Sequence, residues 1–355
     1  MFYCVSMRSG YLPPYTRLRE LSATEWDALV ARHPHGHLLQ THAWGRLKAA
    51  HGWHANWSAI FTNREQPIGM VMMLMRALPY GLGRIGYVPH GPVVDWDDEA
   101  SAAAALHAVR SLGCRLRVFA TVVEPDLLDT PSDQRLLARL GLKPAHFSVQ
   151  PRRTIWVNLD VDEDVDMLAA MKPKTRYNIR LAERHGVSVR RIDPIEGADA
   201  DLLYEMYAET ARRDGFLIRP AAYYLDAWRA LGGVAFIADH EGHALAGLVL
   251  LCFADRAWYF YGMSRNVGRE HMPNYLLQWV ALRWARDQGY RIYDWWGAPD
   301  TLSPNDPLWG VYRFKEGFGA QLVEGLGAWD FAPFPALYTL YNRLGPRLIR
   351  SGLAG

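Results

Sequence analysis

The densest concentration of chemically capable residues is the run Gly310-Val-Tyr-Arg-Phe-Lys-Glu-Gly-Phe-Gly-Ala320. It holds two cations, a carboxylate, three aromatics and three glycines. In an extended strand Arg313 and Lys315 share one face and Phe314 takes the other. Gly317 and Gly319 admit a positive φ or a close backbone approach. A second concentration is Met171–Gly186. There Arg176, Arg180 and Arg184 recur every fourth residue, with Lys172 and Lys174 at the entry, a basic stripe suited to phosphates. A third is Leu116–Pro125, a buried strand that ends in the carboxylate of Glu124.

The elements around these residues follow from periodicity. Pro173 suits a helix first turn and Gly186 its stop, so the basic stripe rides on a helix. Ser22 or Thr24 caps a helix over Glu25–Arg32. Gln40, Trp44 and Lys48 are spaced by four and share one helical face. Residues 57–63 and 67–76 form a hairpin, as do Val234–Ala238 and Ala244–Phe253 around Asp239-His-Glu-Gly-His243. Each half of the chain repeats helix, antiparallel hairpin, helix, strand. The fold class is α+β. With 355 residues, half of them hydrophobic, two domains are expected. These are 1–152 with 325–355, and 153–324, the segment from Trp329 returning to the first.

Composition excludes several classes. The formal net charge is +2, from 39 basic and 37 acidic residues, so nucleic-acid contact rests on local patches. Cys4, Cys114 and Cys252 form neither a disulfide framework nor a zinc pattern, which fits a reducing cytosol. Met1–Pro14 lacks the apolar run of a secretion signal, and no apolar run spans a membrane. Six of the 13 histidines lie between His33 and His54, but without acidic or thiol partners nearby, and no metal is expected. Gly81-Leu-Gly-Arg-Ile-Gly86 lacks the Lys-Ser/Thr of a phosphate loop. No Gly-x-Ser-x-Gly elbow or reactive cysteine suggests an acyl-enzyme.

Asp294-Trp-Trp-Gly297 followed by Tyr312-Arg-Phe-Lys-Glu-Gly-Phe-Gly319 resembles the late signature of the Fem-type peptidoglycan-bridge aminoacyltransferases. Gly91-Pro-Val-Val-Asp95, Gln40-x-x-x-Trp44-x-x-x-Lys48 and Arg219-x-x-x-Tyr223 match further segments in the same order. This chain resembles the short FemX-like members, without a long helical-hairpin insertion. The resemblance implies two tandem GNAT-like domains. It implies Lys315, Phe314 and Glu124 as catalytic residues, with Glu124 standing where the family has Asp. It implies Lys48, Arg219, Tyr223, Tyr261 and Arg313 as substrate-binding residues. Arg219 offers a planar fork for diphosphate oxygens and Tyr223 a hydroxyl. Lys172, Lys174, Arg176 and Arg180 are then the tRNA or phosphate contacts.

The implied reaction moves an amino acid, glycine or another small residue, from aminoacyl-tRNA to a side-chain amine of the stem peptide. The acceptor is UDP-MurNAc-pentapeptide or lipid II. Aminoacyl-tRNA is a co-substrate, and no cofactor is required because the ester is already activated. Glu124 accepts the amine proton, and Lys315 stabilises the oxyanion or tRNA phosphates. The expected location is the cytoplasm; Phe331–Arg350 is expected to pack onto the first domain, the rival reading being peripheral contact with a lipid-linked acceptor at the cytoplasmic membrane. The alternatives are a CoA-dependent N-acyltransferase, whose pyrophosphate loop is half met at Arg265-Asn-Val-Gly268-Arg-Glu270, and a catalytically idle muropeptide-binding protein.

Overall fold

The computed structural model describes residues 16–62, 64–78, 83–332 and 338–339. Cys4, the N-terminal segment, part of the Gly81–Gly86 loop and most of Phe331–Arg350 lie outside the described residues. The chain divides into two compact units, Met1–Arg152 with Glu324–Gly355, and Arg153–Val323.

Unit 1 begins with β1 (Thr16–Arg19) and α1 (Ala23–Arg32). Ser22 caps α1 through a reciprocal pair. Its hydroxyl accepts from the Glu25 N–H at 3.3 Å, and the Glu25 carboxylate accepts from the Ser22 N–H at 3.0 Å. The single helix expected over Gln40, Trp44 and Lys48 is two pieces. Gln40 ends a 3-10 turn (Leu38–Gln40), and extended Thr41 then caps α2 (His42–Ala50) by accepting the Trp44 N–H. The Thr41 hydroxyl offers the backbone a local partner that competes with a continuous helix. Unit 1 continues with β2 (His54–Thr62), β3 (Pro67–Ala77), β4 (Arg84–Val88), β5 (Val93–Val94), α3 (Glu99–Arg115), β6 (Val118–Val123), α4 (Pro131–Arg139) and β7 (Lys143–Pro144).

Unit 2 runs β8 (Arg153–Asn158), α5 (Asp164–Ala170), α6 (Pro173–Arg184), β9 (Ser188–Ile192), α7 (Gly197–Asp214) and α8 (Ala221–Ala230). It continues with β10 (Val234–His240), β11 (His243–Phe253), β12 (Arg256–Ser264), α9 (Pro273–Asp287), β13 (Ile292–Asp294), α10 (Trp309–Glu316) and β14 (Gln321–Glu324). The chain then returns to unit 1 as β15 (Trp329–Phe331), which pairs with β6 and β7.

Each unit is a mixed, mostly antiparallel sheet with helices packed on it. The first sheet is ordered β1-β2-β3-β4-β6-β15-β7, with β5 beside β3; the second is β14-β8-β13-β12-β11-β10-β9. Each contains one parallel pair bracketing a helix: β4 and β6 around α3, β12 and β13 around α9. Parallel neighbours need such a crossover. The buried face of α3 (Ala102, Leu106, Val109) joins Val71, Met73 and Val123 in one core. That of α9 (Leu277, Ala281, Leu282) joins Phe236, Leu248 and Leu250 in the other. Each fully buried leucine contributes roughly 1.5–3 kcal/mol.

The stretch expected as a strand carrying Arg313 and Lys315 is helix α10. Contacts at helical spacing override the two-residue parity: Trp309 stacks on Tyr312 at 5.5 Å, and Phe314 meets Phe318 at 5.3 Å. Gly317 and Gly319 are small for packing inside unit 2 rather than for the approach of another chain. A Cβ on Gly317 would stand 2.4 Å from the Thr175 Oγ1, and one on Gly319, at φ +78°, would stand 2.8 Å from the Ala170 carbonyl oxygen. Gly317→Ala should therefore lower unfolding stability by about 1–3 kcal/mol. Gly310→Ala, with nothing within 4 Å of the new methyl, should be neutral or stabilising by up to about 1 kcal/mol. Urea unfolding of both variants measures the difference.

Candidate functional site

In unit 2 the two halves of the late signature fold onto each other. Asp294 ends β13. Its Oδ1 accepts the Trp296 N–H at 2.9 Å and the Thr154 hydroxyl, and its Oδ2 accepts the Trp156 indole N–H at 2.8 Å. Trp296 and Gly297 then take positive φ, +47° and +80°. The turn directs three carbonyls at one point, where the Lys315 Nζ sits. It donates to the carbonyls of Trp295 at 2.9 Å, Trp296 at 3.1 Å and Gly297 at 2.7 Å. Lys315 is 5% exposed. Burial pulls its pKa down to about 8, against the nearby Asp294 charge that raises it. An ammonium has three protons, and here each has an acceptor within the protein. In this arrangement Lys315 clamps the 295–297 turn.

Its neighbours in α10 have separate surroundings. The Phe314 ring is half-buried against Tyr275 at 5.0 Å and Trp295 at 6.0 Å. Arg313 is exposed and pairs with the Glu316 carboxylate at 3.2 Å, its guanidinium 5.8 Å from the Trp309 ring centre.

Arg219, Tyr223 and Tyr261 come together. Arg219 lies in the segment between α7 and α8, with its guanidinium 4.5 Å from the centre of the Tyr223 ring. Tyr224 and Tyr261 meet edge to face at 5.4 Å, and Tyr207 approaches Tyr261 at 5.8 Å. The backbone of Arg219 is fixed at both ends: its N–H donates to the Tyr224 hydroxyl at 3.1 Å, and its carbonyl accepts from the Tyr204 hydroxyl at 3.2 Å. Burial pushes the Tyr261 and Tyr223 hydroxyls up, so both remain neutral proton donors near neutral pH. Among the described residues no carboxylate forms an ion pair with Arg219. The result is a cation on an aromatic wall, a site for an anion. Tyr204, Tyr207 and Tyr224 were absent from the expected site. The three-residue spacing of Tyr204 and Tyr207 on one helix face was the signal available for them.

The basic stripe of α6 divides. Arg176 turns back into the fold and donates to the carbonyls of Leu168, at 3.1 Å, and Met171. Lys172 pairs with Glu316 at 2.7 Å, and its N–H donates to the Gly317 carbonyl at 2.9 Å, tying α6 to α10. Lys174 and Arg180 remain exposed. Of the expected phosphate-binding group, Lys172, Lys174 and Arg180 thus lie outward, while the carbonyls of Leu168 and Met171 at the end of α5 engage Arg176.

In unit 1, Glu124 follows β6 and is 4% exposed. Its Oε1 accepts the N–H groups of Val149 at 2.6 Å and Gln150 at 3.1 Å, and its Oε2 accepts the Tyr87 hydroxyl. The Gln150 side-chain amide donates to that same hydroxyl at 2.9 Å. Burial raises the Glu124 pKa, while the Tyr87 hydroxyl, His90 and the two amides oppose the rise. Lys48 is buried in the last turn of α2, its Nζ 5.5 Å from the centre of the Trp44 ring. Gln40 is fully buried: its amide oxygen accepts the Met72 N–H at 2.9 Å, and its amide nitrogen donates to the Pro89 carbonyl at 2.6 Å.

His37, His90 and Asp126 place one ligand-capable atom each within 4.8 Å of the others. The two imidazoles stack at 3.9 Å with planes 6° apart, so their in-plane lone pairs lie in nearly parallel planes. The His37 Nδ1 already accepts the Leu39 N–H at 3.0 Å, and the His90 Nδ1 lies 3.2 Å from an Asp126 oxygen. The geometry is that of a hydrogen-bonded group.

The family model described as the FemAB family matches residues 21–135, 141–238 and 229–345. The lipid II:glycine glycyltransferase of Staphylococcus aureus (strain USA300) is 25% identical over 406 aligned positions, covering 92% of this chain and 95% of that protein. The crystal structure of FemX superposes with a TM-score of 0.84 at 23% identity, covering 92% of this chain and 100% of that one. A tandem GNAT protein from the clavulanic acid biosynthesis pathway superposes with a TM-score of 0.53 at 14% identity, covering 89% and 98%. These likenesses show the fold: two GNAT-like domains in tandem, as expected. The match over nearly the whole chain identifies the protein as a member of the FemAB family.

Proposed function

We propose that the protein is a transferase that moves an amino acid, glycine or another small residue, from aminoacyl-tRNA to the side-chain amine of a peptidoglycan stem peptide. The observation that carries this reading is the Arg219 guanidinium on its tyrosine wall, which suits the diphosphate that links a muropeptide to its nucleotide or lipid carrier. The name of the Staphylococcus aureus relative supports a lipid-linked acceptor and glycine as the transferred residue.

In the proposed reaction the stem amine attacks the ester carbonyl. The C–N bond forms, the ester C–O bond breaks, and the tRNA hydroxyl leaves with a proton as the amine loses one. The ester is activated, so no further cofactor takes part. Lys315 is a positioning residue that holds the 295–297 turn, with Phe314 packing behind it. Glu124 is the proton acceptor in this scheme, and its raised pKa suits the task. With both its oxygens engaged, the proton reaches it through the Tyr87 hydroxyl. Lys48 and Arg313 are retained as acceptor contacts.

Acyl-CoA chemistry is less well supported. Arg265, the cation of the half-met pyrophosphate loop, is held by Glu205 at 2.8 Å and Glu209 at 3.0 Å. Carboxylates beside it oppose a pyrophosphate. The donor is tested by binding. Charged tRNA should bind with a steep salt dependence, and acetyl-CoA should give no heat in calorimetry. Neutralising Lys174 and Arg180 together should reduce the salt slope by about 1.5–2, whereas Arg176→Ala should lower stability and leave the slope in place. An unchanged slope in the double variant would return α6 to an ordinary solvated surface.

A further inference from the structure

The most exposed large apolar side chain among those described is Leu217, 85% exposed, next to Phe216 at 41%. They lie in the segment between α7 and α8, three and two residues before Arg219. Val267, 68% exposed, belongs to the neighbouring segment after β12. Arg213, near the end of α7, ties the start of the first segment to the start of the second by donating to the Ser264 carbonyl at 2.9 Å and the Asn266 side-chain oxygen at 3.3 Å. Single exposed apolar residues need no explanation, but apolar residues grouped on adjoining tips beside a binding site do.

The charges around them are also uneven. Arg212 and Arg219 flank Phe216–Leu217, and Arg269 follows Val267. Among the described residues none of the three forms an ion pair with a carboxylate, while Arg213 and Arg265 on the same side do. Apolar tips flanked by Arg212, Arg219 and Arg269, with Asp214 and Glu270 as the carboxylates in the same stretches, complement a surface with phosphate outside and acyl chains beneath.

We propose that Phe216, Leu217 and Val267, with Arg212 and Arg269, dock unit 2 on an anionic phospholipid surface. The inference rests on reading Arg219 as the diphosphate contact of a lipid-linked acceptor. In such an acceptor the diphosphate lies at the headgroup plane. A guanidinium that grips it there brings a side chain two residues away to the acyl boundary. Leu217 is then an interfacial anchor, and the docked orientation presents the tyrosine wall to the membrane.

The test is co-sedimentation of the full chain with vesicles of phosphatidylcholine, with and without phosphatidylglycerol. The parent should bind the anionic vesicles, and added salt should weaken binding. Leu217→Asp with Val267→Asp should reduce partitioning by about tenfold or more, and Leu217→Trp should match or exceed the parent, because indole favours the interface. The paired Asp variant should keep the parental rate with a UDP-linked acceptor and lose rate only with the lipid-linked one.

Parental vesicle binding by the Asp variant would overturn the proposal. So would no binding by the parent, or a parental dimer that the Asp substitutions dissolve. Vesicle binding requires no transfer reaction, so it can fail while transfer to a UDP-linked acceptor persists. Conversely, absence of transfer to either acceptor would remove the functional reading and leave the vesicle result standing.

Discussion

Replacing Lys315 with methionine should destabilise unit 2 by on the order of 3 kcal/mol and, by misplacing the 295–297 turn, slow single-turnover transfer by about 10²-fold. The first effect follows from the clamp. Methionine retains much of the volume but leaves the carbonyls of residues 295–297 without their donor, and each buried unsatisfied group costs about 1–3 kcal/mol. The second follows because Trp296 is held in a left-handed conformation, φ +47°, that it would leave once released. Lys315→Arg should fail to rescue, since a planar guanidinium cannot meet three acceptors that converge on one nitrogen.

The pH dependence separates the clamp from a merely large side chain. The folded pKa of Lys315 lies below the ordinary lysine value, at about 8. Burial therefore weighs on the protonated amine below about 8, and that cost is relieved as pH rises toward the unfolded value. The parent should gain stability as pH rises from about 8 toward the ordinary lysine pKa, and Lys315→Met should lack that gain. A Lys315→Met protein with parental stability and a parental pH profile would refute the clamp.

The second large effect concerns the acceptor. Arg219→Ala should weaken UDP-muropeptide binding by roughly 1.5–3 kcal/mol, on the order of ten- to a hundredfold in Kd, with little change in tRNA binding. Tyr223→Phe keeps the ring face that supports the guanidinium and should be milder than Tyr223→Leu, which removes it. Calorimetry with the nucleotide-linked acceptor reads all three, and parental affinity in Arg219→Ala would remove Arg219 from the site.

The parts of this architecture legible in the sequence are those set by local spacing. Ser22 with Glu25, the turn at Asp239–Gly242, and Pro173 with Gly186 each announce their element within a few residues. Arg219, Tyr223 and Tyr261 were legible as a group through family resemblance, and they do converge. What escaped depends on backbone geometry far along the chain. Lys315 finds its acceptors about twenty residues earlier, through two positive-φ residues that no side-chain pattern reveals. Arg176 looks like its neighbours on a helical wheel, yet the carbonyls it caps belong to the preceding helix and to Met171, which follows it. The alternation around Arg313 and Lys315 imitated a strand because aromatic pairs at three- and four-residue spacing lie under it.

Aminoacyl transfer to a muropeptide is tested most directly by incubating the purified protein with a mixed set of charged tRNAs and a muropeptide acceptor, then weighing the product by mass spectrometry. The expected result is an acceptor heavier by one small amino acid residue, formed only with charged tRNA and lost on prior ribonuclease treatment. An acceptor unchanged by every charged tRNA, but acylated when acetyl-CoA is supplied, would contradict it.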